Sequence, residues 1–316
     1  MPQQIAVIGA GMSGVACASR LVQANAKVTL FDKGFNLGGR LATRIQDGFC
    51  FNHGAPGFAV ESVTFKSFTD TLRLAGALDT VGPPDAPLVG LPHMNSLLKP
   101  LTSELDLYQS VEICEIKRES NSWQLQSSNN QEYGPFDSVA VCIPAPQARN
   151  LVMTTKPCWY RILDSVKYEP CLTAMIVLEG NKPDFRYASL ENHPQVWRQI
   201  EQVENGKCAA NLSCWVVHAT PAWSSAYLEC DYSQFANELA REFLLLNELS
   251  HENLLRLNGH RWRYARVNIP LGELSLFDNE LQLGLAGDWC LGPNVENAFC
   301  SGIDIADKFL LNISKS

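Results

Sequence analysis

The sequence predicts an α/β fold in which one doubly wound domain is assembled from both ends of the chain, with a mixed α+β segment inserted between them. Three observations carry this. The chain opens on a short apolar run that turns through glycines into a helix, "IAVIGAGMSG" (5–14). It closes on a second apolar run, a turn and a helix, "LQLGLAGDWCLGPNVENAFCSG" (281–302). Between them lie strand-like runs and an amphipathic helix that do not follow a simple βαβ alternation.

Ile5–Ile8 is a compact, wholly apolar strand, residues 10–24 read as a helix and Val28–Phe31 as the next strand, which makes a βαβ unit. From Ser62 onward, Phe65, Phe68, Leu72 and Ala75 fall at helical spacing and Gly76 stops the run. "GPPDAP" (82–87) reads as a turn-rich surface segment. "SVEICEIKRES" (110–120) and "SWQLQSS" (122–128) form a hairpin, and "FDSVAVCIP" (136–144) is a strand ended by proline. "CLTAMIVLE" (171–179) and "CAANLSCWVVHA" (208–219) look like strands of a second sheet. Asp231 caps a helix whose apolar face is Phe235, Leu239, Phe243 and Leu246. "LQLGLAGDW" (281–289) is a strand leading into a turn, and residues 295–310 form the closing helix. The expected division is 1–63, 92–155 and 270–316 for the terminal domain, with 64–91 and 156–269 for the insert.

Composition narrows the function. Of 316 residues, 46% are hydrophobic and 18% charged, which suits a well-cored enzyme and argues against disorder. A net charge of −8 gives no footprint for nucleic acid or an anionic membrane. No apolar run reaches membrane-spanning length and no positive region precedes the first one, so a cytoplasmic protein is expected. Eleven cysteines without a C-x-x-C pair read as buried, reduced thiols rather than metal ligands. No Ser-His-Asp order or carboxylate pair stands out.

Gly9, Gly11 and Gly14 have the spacing G-x-G-x-x-G directly after a strand and at a helix start, and Asp32 ends the second strand about 20 residues on, as a dinucleotide site requires. Gly9 makes the tight turn, Gly11 lets backbone N–H groups approach a pyrophosphate, and Gly14 allows helix and strand to pack closely. Asp32 can accept both hydroxyls of an adenosine ribose, and its charge would repel a 2′-phosphate. The choice of dinucleotide is made further along. In "LGGRLATR" (37–44), Gly38 and Gly39 free the backbone and Arg40 offers a forked cation for a second phosphate contact. In "AGDWCLGPNVENAFCSG" (286–302), Asp288 would meet ribityl or pyrophosphate-side hydroxyls. There the amides of Glu296, Asn297 and Ala298 could face the pyrimidine edge of a flavin, where reduction places negative charge. One cofactor touched by both chain ends accounts for all three motifs, and that cofactor is FAD. Met12 and Ser13 in the loop, Lys33 beside Asp32, and Ile113 complete the residues expected to hold it.

These motifs together resemble the FAD-dependent amine-oxidase-like superfamily and, within it, the renalase family. The resemblance runs through "GAGMSG", "DKGFNLGGRLATR", "HGAPGF", "GLPHMNSLLKPL", "FDSVAVCIPAPQ", "WVVHATPAWS", "HRWRYA" and "AGDW". It implies a Rossmann-like FAD domain with an inserted substrate domain of the amine-oxidase/p-hydroxybenzoate-hydroxylase type. One segment departs: where renalase-like proteins carry Asp-x-Gly-Ala-Gln-Tyr, this chain reads Asn52-His53-Gly54-Ala55-Pro56-Gly57. The resemblance implies oxidation of isomeric (2- or 6-) dihydro-NAD(P) to NAD(P)+, with a hydride passing to flavin and dioxygen reoxidising it to give hydrogen peroxide. Such chemistry needs a flat substrate stacked on the flavin with water excluded, and little acid–base work from the protein.

The expected pocket residues lie on the insert. His218 sits inside the apolar strand Trp215-Val216-Val217-His218 and could contact the bound ring or its amide. Trp262 and Tyr264 alternate in "RWRYA" and share one face of a strand. His260 and Arg263 are weaker candidates that read rather as surface groups, and Phe58 fits either pocket or core. Two other functions remain open: an amine- or carotenoid-type oxidoreductase on the same fold, and a flavin-binding module without turnover.

Overall fold

The structure is a computed structural model that describes residues 2–80, 87–202 and 211–313. The turn segment expected at 82–87 therefore lies, apart from Pro87, outside the described residues, as do residues 208–210. The chain divides into two compact units. The first comprises Met1–Arg40, Gly57–Lys167 and Val267–Ser316, and the second Leu41–Pro56 and Tyr168–Arg266.

The first unit is built on a six-stranded sheet. Its strands run in the order Leu276–Asp278, Leu283–Leu285, Ser138–Val141, Gln4–Ile8, Lys27–Phe31, Asp106–Tyr108. All neighbours pair in parallel except the antiparallel edge strand Leu276–Asp278. Ile5, Ala6, Val7, Leu30, Val139, Ala140, Val141, Leu283 and Leu285 are wholly buried. Strands buried on both faces read as continuous apolar runs rather than alternating ones, which is why these were visible in the sequence. The edge strands Asp106–Tyr108 and Leu276–Asp278 are short and more polar, and the sequence did not show them. Helices Met12–Gln23 and Val295–Ile313 pack so closely that a Cβ on Gly302 would lie 2.1 Å from the carbonyl oxygen of Ser13. The hairpin Ile113–Glu119/Ser122–Ser127 turns on Ser120 and Asn121, both at positive φ, and Glu132–Phe136 adds a third strand.

Helix Val63–Leu74 begins at Ser62, whose hydroxyl accepts from the Phe65 N–H at 3.2 Å. Its Phe65 and Phe68 rings meet Phe299 at 5.2 and 4.4 Å. That aromatic contact holds the helix in the first unit, where the sequence assigned 64–91 to the insert. Phe58, buried and 5.8 Å from Phe65, is part of the same cluster, which makes it a core residue.

The second unit holds a five-stranded sheet ordered Tyr187–Ser189, Val196–Glu201, Leu212–Ala219, Lys167–Glu179, Leu254–Ile269. Alternation along the long central strand sorts its two faces. Leu172, Ala174, Ile176 and Leu178 cluster with Phe235, Leu239 and Phe243 of helix Tyr232–Leu246, and each such buried side chain contributes roughly 1.5–3 kcal/mol. Met175 and Val177, on the other face, meet Phe51 of the hairpin Arg44–Gln46/Phe49–Phe51. That burial places 41–56 in this unit, where the sequence had placed it with the terminal domain. Asp231 stands at the N-cap of the long helix with extended backbone, but its side chain makes no capping bond, contrary to the expectation.

Candidate functional site

In the first unit the loop after strand Gln4–Ile8 is set by two steric facts. Gly9 has φ +105°, and its missing Cβ would fall 2.5 Å from the Cys142 carbonyl oxygen. A Cβ on Gly14 would fall 1.8 Å from the Gly9 carbonyl oxygen, so strand turn and helix start can close only on glycine. Gly11 differs: a Cβ there would meet nothing within 4 Å. It occupies the N-cap of helix Met12–Gln23, supplies no side-chain cap, and accepts the first helical bond from Val15 at 3.0 Å. The Met12 amide faces the Gly38 carbonyl across the bridge between Gly11 and Gly38, and the amides of Ser13 and Gly14 have no acceptor among the described residues. Two unbonded N–H groups at a helix N-terminus, beside the open space over Gly11, have the chemistry to receive an anion. The Ser13 hydroxyl is likewise buried without a partner.

Asp32 braces this loop. Its carboxylate accepts from the Ala10 and Gly34 amides, each at 2.6 Å. Burial raises its pKa above the ordinary carboxylate value, against the pull of those two bonds. Each oxygen keeps a second lone pair for a hydroxyl donor. Lys33 sits outside, in a loose exposed ion pair with Glu112 at 3.7 Å. The Ser110 and Val111 amides bond to the carbonyls of Gly34 and Asp32, which brings buried Ile113 to the same end of the sheet. The Gly38–Gly39 segment crosses the loop through a bridge between Gly11 and Gly38 and a 3.0 Å bond from Gly38 N–H to the Ala10 carbonyl.

The C-terminal motif is arranged differently from the expectation. Arg40 and Asp288, read as two separate cofactor contacts, hold each other in a forked ion pair with N···O distances of 2.7 and 2.6 Å. Asp288 is buried, so the pair ties the GGR segment to the AGDW turn. At the start of helix Val295–Ile313, the Asn297 amide is already capped by the Asn294 side chain at 2.6 Å. The Ala298 amide makes the first helical bond to the Asn294 carbonyl. Among the described residues the amides left without an acceptor are those of Val295 and Glu296, so two of the three expected donors are corrected. The Glu296 carboxylate accepts from the Glu61 and Ser62 amides at 2.7 and 2.8 Å. Burial works to raise its pKa, but those bonds outweigh it and hold the carboxyl below the ordinary value.

In the second unit a cluster forms around one backbone carbonyl. The His53 carbonyl accepts from His218 Nε2 at 3.2 Å and from Trp262 Nε1 at 3.0 Å. The His53 ring stacks on Trp262 with centroids 5.2 Å apart, and His260 meets both rings edge-on at 4.6 and 4.3 Å. Arg44 Nη2 reaches His260 Nδ1 at 3.1 Å, and because a guanidinium only donates, that nitrogen is the acceptor and Nε2 carries the proton. By the same logic His218 carries its proton on Nε2 and leaves Nδ1 bare. His53 Nδ1 donates to the Phe51 carbonyl at 3.3 Å. Burial first of all drives the pKa of His53 down to about 3 and those of His218 and His260 to about 4. All three imidazoles are neutral at pH 7 and act there as hydrogen-bonding and stacking groups, not as proton carriers.

The structure thus joins two of the expected pocket residues, His218 and Trp262, through a third that the sequence reading passed over. The signal for His53 was present as an imidazole inside the apolar run "FCFNHGAPGF". His218 is only 4% exposed and supports the carbonyl rather than offering its ring. Tyr264 lies apart, half-buried and edge-on to Tyr168 at 5.5 Å. His260, read as a surface group, is a member of the cluster, whereas Arg263 is exposed and paired with Glu229.

Among the described residues all cysteines are free thiols, and no helix is long and apolar enough to cross a membrane.

Residues 7–72 match an NAD(P)-binding Rossmann-like domain. A stretch of 51 residues, 16% of this chain, is 47% identical to a 4,4′-diapophytoene desaturase (4,4′-diaponeurosporene-forming) of Staphylococcus aureus, and it spans 10% of that protein's length. Over the whole chain the fold is similar to a candidate protoporphyrinogen oxidase from Exiguobacterium sp. 255-15, with a TM-score of 0.76, 12% identity and 99% of both chains covered. It is also similar to a reduced UDP-galactopyranose mutase, with a TM-score of 0.70, 12% identity and 100% and 95% of the two chains covered. A variant of putrescine oxidase gives a TM-score of 0.67 at 11% identity, covering 98% and 100%. At these identities the likeness is one of fold.

Proposed function

We propose that this chain is an FAD-dependent oxidoreductase of the amine-oxidase-like superfamily acting on a flat reduced pyridine. The substrate proposed is an isomeric (2- or 6-) dihydro-NAD(P), oxidised to NAD(P)+ while dioxygen is reduced to hydrogen peroxide. The observation that carries the cofactor is the loop 9–14: the Ser13 and Gly14 amides without acceptors, open space over Gly11, and Asp32 behind it. The residues fit a dinucleotide. The amides of Ser13 and Gly14 would hold its pyrophosphate, Asp32 the adenosine ribose, and the Val295 and Glu296 amides an electron-rich ring edge. FAD, when bound, supplies two-electron redox chemistry that no side chain here can. The named activities of the desaturase and putrescine oxidase relatives support a redox role.

In the second unit Trp262 provides the stacking surface, and His53 and His218 fix its indole through the shared carbonyl. Neutral imidazoles with pKa values near 3 and 4 suit a reaction that asks no proton transfer of the protein. The desaturase match covers only 51 residues and a tenth of that protein, and lends no support to a long polyene substrate. Free thiols throughout the described residues support a reducing compartment, the cytoplasm.

The purified protein should be yellow and release FAD on denaturation. Asp32→Ala should weaken FAD binding by about 1.5–3 kcal/mol through loss of charge-assisted hydrogen bonds. Mixed anaerobically with isomeric dihydro-NAD(P), the flavin should bleach rapidly, and ordinary 4-dihydro-NAD(P)H should act slowly. Trp262→Ala and His218→Ala should slow bleaching while FAD stays bound. A colourless protein that FAD cannot reconstitute overturns the cofactor. Rapid bleaching by the ordinary nicotinamide, or none by either isomer, overturns the substrate.

A further inference from the structure

The sheet that carries His218 holds a second group of side chains that the proposed chemistry leaves unused. Across the ladder, Arg198 stands in register with His218, and His218 with Thr173. The Arg198 guanidinium lies 3.8 Å from the centroid of the Trp197 ring, and Arg266 approaches the same ring at 5.6 Å. Among the described residues neither arginine has a carboxylate partner, and Arg198 Nε is buried with no acceptor at all.

Two guanidiniums beside one indole repel each other, and a buried N–H without a partner costs free energy that an acceptor would recover. Other arginines of this acidic chain do find carboxylates, among them Arg40 with Asp288 and Arg263 with Glu229. Stacking on an aromatic ring leaves the in-plane donors of a guanidinium free, in the fork that matches a phosphate or carboxylate. The group is half-buried at Arg198 and exposed at Arg266, so a ligand can reach it from solvent.

We infer that Arg198, one strand away from His218, and Arg266, both mounted on Trp197, form an anion subsite that holds a phosphate or carboxylate of the substrate. This rests on the reading of the second unit as the substrate-binding one. Arg198 supplies the inner, desolvated contact and Arg266 the outer one. The subsite would select substrates in which an anionic group hangs from a flat ring, and it would disfavour neutral or cationic amines.

The test is calorimetric titration of the full-length, FAD-loaded protein with matched probes. Nicotinamide mononucleotide is compared with nicotinamide riboside for phosphate, and nicotinate with nicotinamide for carboxylate. At low ionic strength the anionic member of at least one pair should bind roughly tenfold tighter, the difference that a charge-assisted contact brings. Which pair shows the preference identifies the anion. Arg198→Gln and Arg266→Gln should each abolish the preference. Should Arg198→Gln fail to fold, exposed Arg266→Gln decides the matter alone. Equal binding within both pairs, or a preference that survives Arg266→Gln, overturns the subsite. Binding is read without flavin reduction, so the two proposals fail separately. A protein that keeps the anion preference but never bleaches retains the subsite and loses the proposed reaction. One that bleaches with no anion preference does the reverse.

Discussion

Around the glycine loop of the first unit, the working groups are backbone amides, and the side chain that braces them comes from 22 residues away. Around the His53 carbonyl of the second unit, the working groups are side chains brought from 165 and 209 residues away. The first region is made by leaving atoms out: Gly9, Gly11 and Gly14 create room and expose donors. The second is made by adding large rings that bury one another. A site of the first kind tolerates many changes around it but not an added methyl group within it. A site of the second kind tolerates local changes of backbone but depends on every long-range partner.

The largest expected effect separates the glycines. An alanine Cβ at Gly14 or Gly302 would lie 1.8 or 2.1 Å from a backbone oxygen, which cannot swing aside as a side chain could. Either substitution should cost about 3 kcal/mol, the upper end of overpacking effects, in urea unfolding of the protein. Gly11→Ala meets nothing and has φ −77°, which alanine accepts, so stability should stay within about 0.5 kcal/mol. Its methyl group instead fills the open space of the cradle, and FAD affinity should fall. Retained FAD affinity in Gly11→Ala would show that the space over that glycine is not where the dinucleotide binds.

The same contrast explains what was readable before the structure. The central strands of the first sheet are continuous apolar runs, and G-x-G-x-x-G with Asp32 is a local spacing, so both stood in the sequence. The Arg40–Asp288 pair did not, because each residue carries a plausible ligand role alone and only the fold shows that they meet. The helix start at Val295 was found, but the cap by Asn294 that removes Asn297 from the donor set was missed. The sequence passes over His53 and reads His260 as a surface group because their meaning lies in partners far along the chain. Segments 41–56 and 64–91 changed units for a related reason: Phe51, Phe65 and Phe68 choose their neighbours by burial, which no local spacing reports.

A smaller effect concerns pH and belongs to the second region. In the folded chain His53 takes a proton only near pH 3, and His218 and His260 near pH 4. In the unfolded chain each does so near its ordinary 6.5. As pH falls below 6.5 the unfolded state therefore binds protons that the folded state refuses, and stability drops. It is fully present above pH 6.5 and is lost progressively toward pH 4, by up to about 1.4 kcal/mol per pH unit for each histidine. Urea midpoints measured at about pH 7 and about pH 5 should show the drop, and His218→Phe should reduce it. An unchanged midpoint would mean that the imidazoles are solvated rather than buried.

The smallest single effect tests whether the His53 carbonyl is the node of the cluster. It accepts two hydrogen bonds, so removing either donor leaves it satisfied by the other. Trp262→Phe keeps most of the ring contact with His53 and deletes only the indole N–H. It should cost about 1 kcal/mol, the net worth of one neutral hydrogen bond. His218→Phe should add the cost of fitting a different ring into a filled site, about 1–3 kcal/mol. The double variant leaves the buried carbonyl with no donor, and that atom then bears its full desolvation penalty of about 1–3 kcal/mol. The two changes together should therefore cost more than the sum of their separate costs, measured by urea unfolding of all four proteins. Strict additivity would show that the two donors support the segment independently and that the shared carbonyl is incidental. A coupling of the expected sign, with FAD content equal across the four, would locate the energetic centre of the cluster at the His53 carbonyl.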